Sequence, residues 1–141
     1  MNPKIDESLS SNLRTLTNKF YKPVQKKISL RDNETFYFLN KSMPLSKIGW
    51  NELGNTVSKL WRYNQHYFDD LNAKDSLNRK QWHETILKSW INENKIGKGV
   101  GWEPYPTSLR IVNWIKWHFS GNILSDSLIH SLELQARWLN K

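Results

Sequence analysis

The stretch GVGWEPYPTSLRIVNW, Gly99 to Trp114, decides how this chain is read. It places two glycines, two prolines, two tryptophans, a tyrosine, a glutamate and an arginine at the start of an apolar run. Gly97, Gly99 and Gly101 allow positive φ and close backbone approach, while Pro104 and Pro106 stiffen the segment that presents Tyr105. After Pro106, Thr107 or Ser108 can cap a helix that the spacing carries to Gly121. On a 3.6-residue period Arg110, Asn113, Trp114 and Trp117 share one face, and Ile111, Ile115 and Phe119, with Val112 beside them, form the other. The aliphatic face is expected to be core. The other face has two readings. In one, Arg110 pairs with an anionic sugar while Asn113 bonds hydroxyls and the indoles stack on the ring. In the other, Arg110 stacks on Trp114 and reaches Glu103 or another carboxylate, a lock with no ligand.

Outward from this stretch the apolar period stays helical. LWRYNQHYFDDL puts Leu60, Tyr63, Tyr67 and Leu71 at helix-face spacing, with Trp61 and Phe68 widening the stripe. QWHETILKSWINENK does the same with Trp82, Ile86, Leu87, Trp90 and Ile91, and Gly97 is placed to end it. SDSLIHSLELQARWLNK opens at Ser125 and reaches the last residue without a stop signal, so a longer chain is expected. Four helices with short connections imply antiparallel hairpins in a helical array, of the kind that solenoids or toroids use. TFYFLN, Thr35 to Asn40, reads as one short strand or extended segment, with no partner evident. Residues 1–34 are expected to be a basic, mobile or poorly packed segment with a weak helical pattern at Leu9, Leu13, Leu16 and Phe20. Residues 35–141 are expected to form the folded domain.

The 141 residues suit one domain, and eight tryptophans offset a hydrophobic fraction of 38%. Rings in that number either fill a helical core or line a cleft. The net charge of +8 suits an anionic partner. Residues 1–50 hold nine Lys/Arg against four Asp/Glu, whereas residues 51–141 hold twelve against nine. Most of the excess therefore lies away from the tryptophan-rich part, and with no recognition motif present this weighs against nucleic acid. The absence of cysteine excludes disulfides, thiolate zinc sites and thiol catalysis. No membrane span and no signal peptide are legible, which leaves localisation open.

Tyr63, His66, Tyr67 and Asp70 also share a helix face, where a tuned Tyr–His pair would suit proton transfer and an amphipathic core rim is the alternative. His83, His118 and His130 lack metal-ligand spacing, so no metal or cofactor is expected. GKGVG lacks the spacing of a phosphate loop, and no G-x-S-x-G or H-E-x-x-H occurs.

Several ordered segments, KLWRYNQHYFDDL (Lys59–Leu71), SWINEN (Ser89–Asn94), GKGVGWEPYPTSLRIVNW (Gly97–Trp114) and LELQARWL (Leu132–Leu139), closely resemble the N-terminal region of heparinase II/III-family proteins. FYFLN and Trp50-Asn51 fit the same lead-in, so the likeness covers roughly residues 36–141. The resemblance implies an all-α array of hairpins, the opening part of an incomplete (α/α) toroid, followed by a β-sandwich domain. It implies a bacterial polysaccharide lyase that cleaves uronate polymers by β-elimination, with acidic polysaccharide as partner. An Asn-His motif and the later catalytic Tyr and His would lie downstream of Lys141, so no catalytic residue is expected here. Arg110, Glu103, Trp102, Tyr105, Asn113 and Trp114 are expected to supply substrate subsites, with Tyr63, His66 and Tyr67 second. The alternative is a non-catalytic helical module that binds acidic polysaccharide.

Overall fold

A computed structural model describes residues 25–52 and 54–141. The expected helical pattern at Leu9 to Phe20 lies outside the described residues. The described part is mostly helical, with one small antiparallel sheet. Strand β1 (Thr35–Phe38) pairs with β2 (Lys41–Pro44), Phe36 opposite Met43 and Phe38 opposite Lys41. Leu39 and Asn40 connect them, both at positive φ, 51° and 61°, the backbone of the tight turn that matches strand twist. TFYFLN thus has a partner after all. KSMP carries no β pattern of its own and ends in proline, so its strand character comes from the turn that folds it back.

Helix α1 (Leu45–Ile48) is one turn, and four longer helices follow: α2 (Lys59–Tyr67), α3 (Lys80–Glu93), α4 (Pro104–Phe119) and α5 (Asp126–Leu139). Ser58 and Ser125 cap α2 and α5 by accepting from Trp61 N at 3.1 Å and Leu128 N at 3.4 Å. Phe68 at φ 61° ends α2, and 3-10 turns follow at Asp69–Asn72 and Ser76–Arg79. The helix expected to run on to Leu71 therefore stops four residues earlier, and Asp70 leaves the Tyr63–Tyr67 face. Helix α4 begins ahead of the expected cap at Thr107 or Ser108, with Pro104 at its first position, where the missing N–H costs nothing.

The tryptophans are core. Six of the eight are buried, and Trp82 and Trp138 are partly so. Ring-to-ring contacts run unbroken from the hairpin to α5, through Phe38, Trp61, Phe36, Trp50, Phe68, Trp114, Trp90, Trp102 and Trp138, at centroid separations of 5.2–6.4 Å. Each pair adds about 0.5–1.5 kcal/mol beyond area burial.

Part of the basic lead-in belongs to this core. Leu30 is buried, and Ser29 and Leu30 donate their backbone N–H groups to Asp70 Oδ1 at 2.8 and 3.0 Å. Lys26 N donates to Asn72 O at 3.0 Å. The other oxygen of Asp70 accepts from Arg79 Nε at 2.9 Å and His83 Nε2 at 2.7 Å. This buried ion cluster moors residues 26–30, so the packed part starts ahead of Thr35.

Candidate functional site

Helix α4 buries the face that had two readings and leaves part of the aliphatic face, expected to be core, exposed. Arg110, Asn113, Trp114 and Trp117 lie inside, whereas Val112 is 47% and Ile115 is 38% exposed. This orientation follows from hydrogen-bond supply. Gln135, His66, Gly101 and Thr107 present oxygens around Arg110 and Trp90 presents its ring face, so a guanidinium with five donors fits there better than a branched aliphatic chain.

Arg110 is fully buried and lies 4.0 Å from the centre of the Trp90 ring. Its Nε donates to Gln135 Oε1 at 2.8 Å, Nη1 to Gly101 O at 2.8 Å and His66 O at 3.3 Å, and Nη2 to Thr107 Oγ1 at 3.3 Å. Burial pulls its pKa well below the usual arginine range. This is the ligand-free lock, built on Trp90 and neutral oxygens in place of the expected Trp114 and Glu103.

Asn113 is equally committed: Nδ2 donates to Tyr67 O at 2.9 Å and Asp69 Oδ1 at 2.8 Å, and Oδ1 accepts from Asn72 at 3.0 Å. Trp102 and Trp114 are buried within the ring chain. His66 is buried too. Its Nδ1 accepts from the Trp90 indole N–H at 3.0 Å, so Nε2 carries the proton and donates to Trp50 O at 3.0 Å. Burial foremost, then the charge of Arg110, pushes its pKa down to about 3. An imidazole with both nitrogens bonded in the core is no proton shuttle. A Cβ on Gly101 would come within 2.3 Å of Nδ1, so only glycine lets the loop pass this ring.

Three of the nine expected residues, Tyr63, Glu103 and Tyr105, keep exposed surface, and the buried Tyr67 ring meets the other two tyrosines from beneath. Tyr105 is 59% exposed and meets Tyr67 edge-on at 5.8 Å and Tyr63 at 6.4 Å. Tyr63 and Tyr67 lie 6.5 Å apart. The Tyr63 hydroxyl donates to Glu103 Oε2, and Glu103 Oε1 pairs with Lys59 Nζ at 3.2 Å. Lys59 also lies over the Tyr63 ring at 5.5 Å. Burial first, then neighbouring Tyr105 and Asp69, raises the pKa of the Tyr67 phenol, which keeps it a protonated donor. Lys59 and Asp69 complete the patch. Helical spacing had a signal for Lys59, four residues before Tyr63, whereas Asp69 depends on the turn at Phe68.

Glu103 stands between two open clefts. One, of about 560 Å³, is lined by Gly97, Trp102, Trp138 and Lys141, and the other, of about 320 Å³, by Asn51, Val57, Lys59 and Arg62. Among the described residues no group of three His, Cys, Asp or Glu is placed to hold a metal, and no helix is long and apolar enough to cross a membrane.

The fold and this patch define a mostly helical protein with Tyr63 and Tyr105 at the surface beside a glycine-rich loop. No family model, curated protein or solved structure matches the chain.

Proposed function

We propose that this chain is the opening part of a heparinase II/III-like α/α toroid and supplies a saccharide-contacting surface for a uronate-containing acidic polysaccharide. The observation that carries the reading is the meeting of Tyr63, Tyr67 and Tyr105 with Glu103 and Lys59 at the mouth of the Gly97–Glu103 loop. Aromatic faces stack on the C–H side of a pyranose while carboxylate and ammonium groups bond its hydroxyls. Elimination requires a base at C5 of the uronate. His66, with both ring nitrogens bonded in the core, is not available for that step.

The toroid reading draws support from α4. Ser108, Val112, Ile115 and Phe119 recur at helix-face spacing, and Val112 and Ile115 are exposed. A further helical hairpin packed there would bury this stripe.

The test is retention on an immobilised uronate–hexosamine copolymer. Wild-type chain is expected to be retained and Tyr105→Ala to elute at least tenfold weaker in affinity, the loss of one stacked ring and its hydrogen bond. No retention, or tighter retention on DNA than on the copolymer, overturns the reading.

A further inference from the structure

Residues 26–30, moored on Asp70, carry a surface that the saccharide reading does not use. Lys26 forms a parallel bridge with Ala73, and its N–H donates to Asn72 O at 3.0 Å, so Lys27 and Lys74 each lie one step from a paired position. Like charges brought this close repel each other. The 3-10 turn Ser76–Arg79 folds back on the same stretch: Ser76 N donates to Ala73 O at 3.2 Å, and Arg79 Nη1 donates to Lys74 O and Asp75 O at 3.0 and 3.2 Å. Lys80 follows at the start of α3. Residues 25–30 and 73–80 thus bring together four exposed lysines and one carboxylate, Asp75, while Arg79 is buried and neutralised by Asp70. None of the four lysines has an ion-pair partner among the described residues.

Two large apolar side chains stand out from the same segments, Ile28 at 46% exposure and Leu77 at 68%. Their positions are set by neighbours that face inward. Ile28 lies between the Lys26 bridge and Ser29, which is buried with its N–H on Asp70 Oδ1 at 2.8 Å. Leu77 lies in the turn that ends at the buried Arg79. Apolar side chains among unpaired lysines suit an interfacial membrane contact, in which ammonium groups meet anionic headgroups while the apolar chains enter the acyl boundary. Nucleic acid would use the lysines and leave Ile28 and Leu77 in water.

We infer that residues 25–30 and 73–80 form a docking surface for an anionic lipid bilayer, with Lys26, Lys27, Lys74 and Lys80 on the headgroups and Ile28 and Leu77 inserted between them. The bond network around Asp70 holds the two segments together before the membrane is met, so little ordering is left for the binding step.

The test is flotation of the full chain with vesicles of phosphatidylcholine alone and with vesicles holding about one-third phosphatidylserine, at low and high salt. The chain is expected to float with the anionic vesicles only and to lose about tenfold in affinity at high salt. The double variant Lys27→Glu/Lys74→Glu, at exposed positions, is expected to lose at least tenfold. Leu77→Ser is expected to lose about fivefold on the vesicles and to leave any binding to duplex DNA unchanged. Circular dichroism shows whether both variants keep the wild-type fold. Failure of the wild-type chain to float with anionic vesicles overturns the inference, as does flotation that neither folded variant alters. Tighter binding to duplex DNA than to the anionic vesicles, lost in the lysine variant and unchanged in Leu77→Ser, overturns it in favour of nucleic acid. Copolymer retention that the lysine variant loses, in a chain that does not float, assigns these lysines to the polysaccharide and overturns the inference while the polysaccharide reading stands.

Discussion

The Arg110 guanidinium lies 4.0 Å from the centre of the Trp90 ring, with no carboxylate paired to it among the described residues. A buried cation held by a ring face and neutral oxygens depends on its fork geometry, which an ammonium cannot reproduce. Arg110→Lys should therefore cost about 3 kcal/mol, or roughly 10 °C in Tm for a chain of this size. Thermal unfolding followed by near-UV circular dichroism checks this. A loss under 1 kcal/mol would mean that the lock contributes little.

Gly101 is the second point where packing leaves no latitude. A methyl group there would press on a ring already held from both nitrogens, so Gly101→Ala should cost about 1–3 kcal/mol through displaced core side chains. Urea unfolding at neutral pH measures it, and an unchanged midpoint would contradict the close approach.

Acid should weaken the fold in two separate windows. His66 is neutral when folded, with a pKa of about 3 against 6.5 for a free imidazole. Below pH 6.5 the unfolded chain takes up a proton that the folded chain refuses, so stability drops by about 1.4 kcal/mol per pH unit down to the folded pKa. Burial works to raise the pKa of Asp70, but hydrogen bonds from His83, Arg79, Ser29 and Leu30 outweigh it and hold it below the ordinary value. Its contribution is present above about pH 4 and lost below that. Urea midpoints at pH 7 and pH 5 should thus differ by about 2 kcal/mol, chiefly from His66. His66→Gln should be less stable at pH 7 yet much flatter between the two pH values. A wild-type midpoint that is constant over this range would contradict the buried neutral imidazole.

The two faces of α4 give a paired expectation. Val112→Ser, on the exposed stripe, should change stability by no more than about 0.5 kcal/mol. Leu87→Ala, in the core of α3, should cost about 2–5 kcal/mol. Equal costs would mean that the stripe is covered in the isolated chain.

How much of this was legible follows residue type. The helices were visible because leucine, isoleucine and tryptophan recur at 3.6-residue spacing, and Ser125 capped α5 as its position implied. The end of α2 was not visible, because Phe68 takes a left-handed backbone that no local signal demands. The hairpin was half visible: β1 has aromatic alternation, but Leu39 gives little hint of positive φ. The aliphatic face of α4 was misassigned as core because polarity alone places isoleucine inward, and it could not choose between the two readings of Arg110. Arg110 and Asn113 are inside because carbonyls from distant segments meet them there, information that helical periodicity does not hold. The tyrosines were legible as a helix face, and Tyr105 joined them through the turn at Glu103.

The central claim is that helix α4 does two jobs with two residues five positions apart, Arg110 holding the core and Tyr105 meeting the saccharide. The most direct measurement is copolymer binding by wild type, Arg110→Lys and Tyr105→Ala at a temperature where all three are folded, with Tm recorded alongside. The account predicts that Arg110→Lys loses Tm but binds as wild type, while Tyr105→Ala keeps Tm and loses at least tenfold in affinity. Loss of affinity in folded Arg110→Lys with wild-type binding by Tyr105→Ala would contradict it.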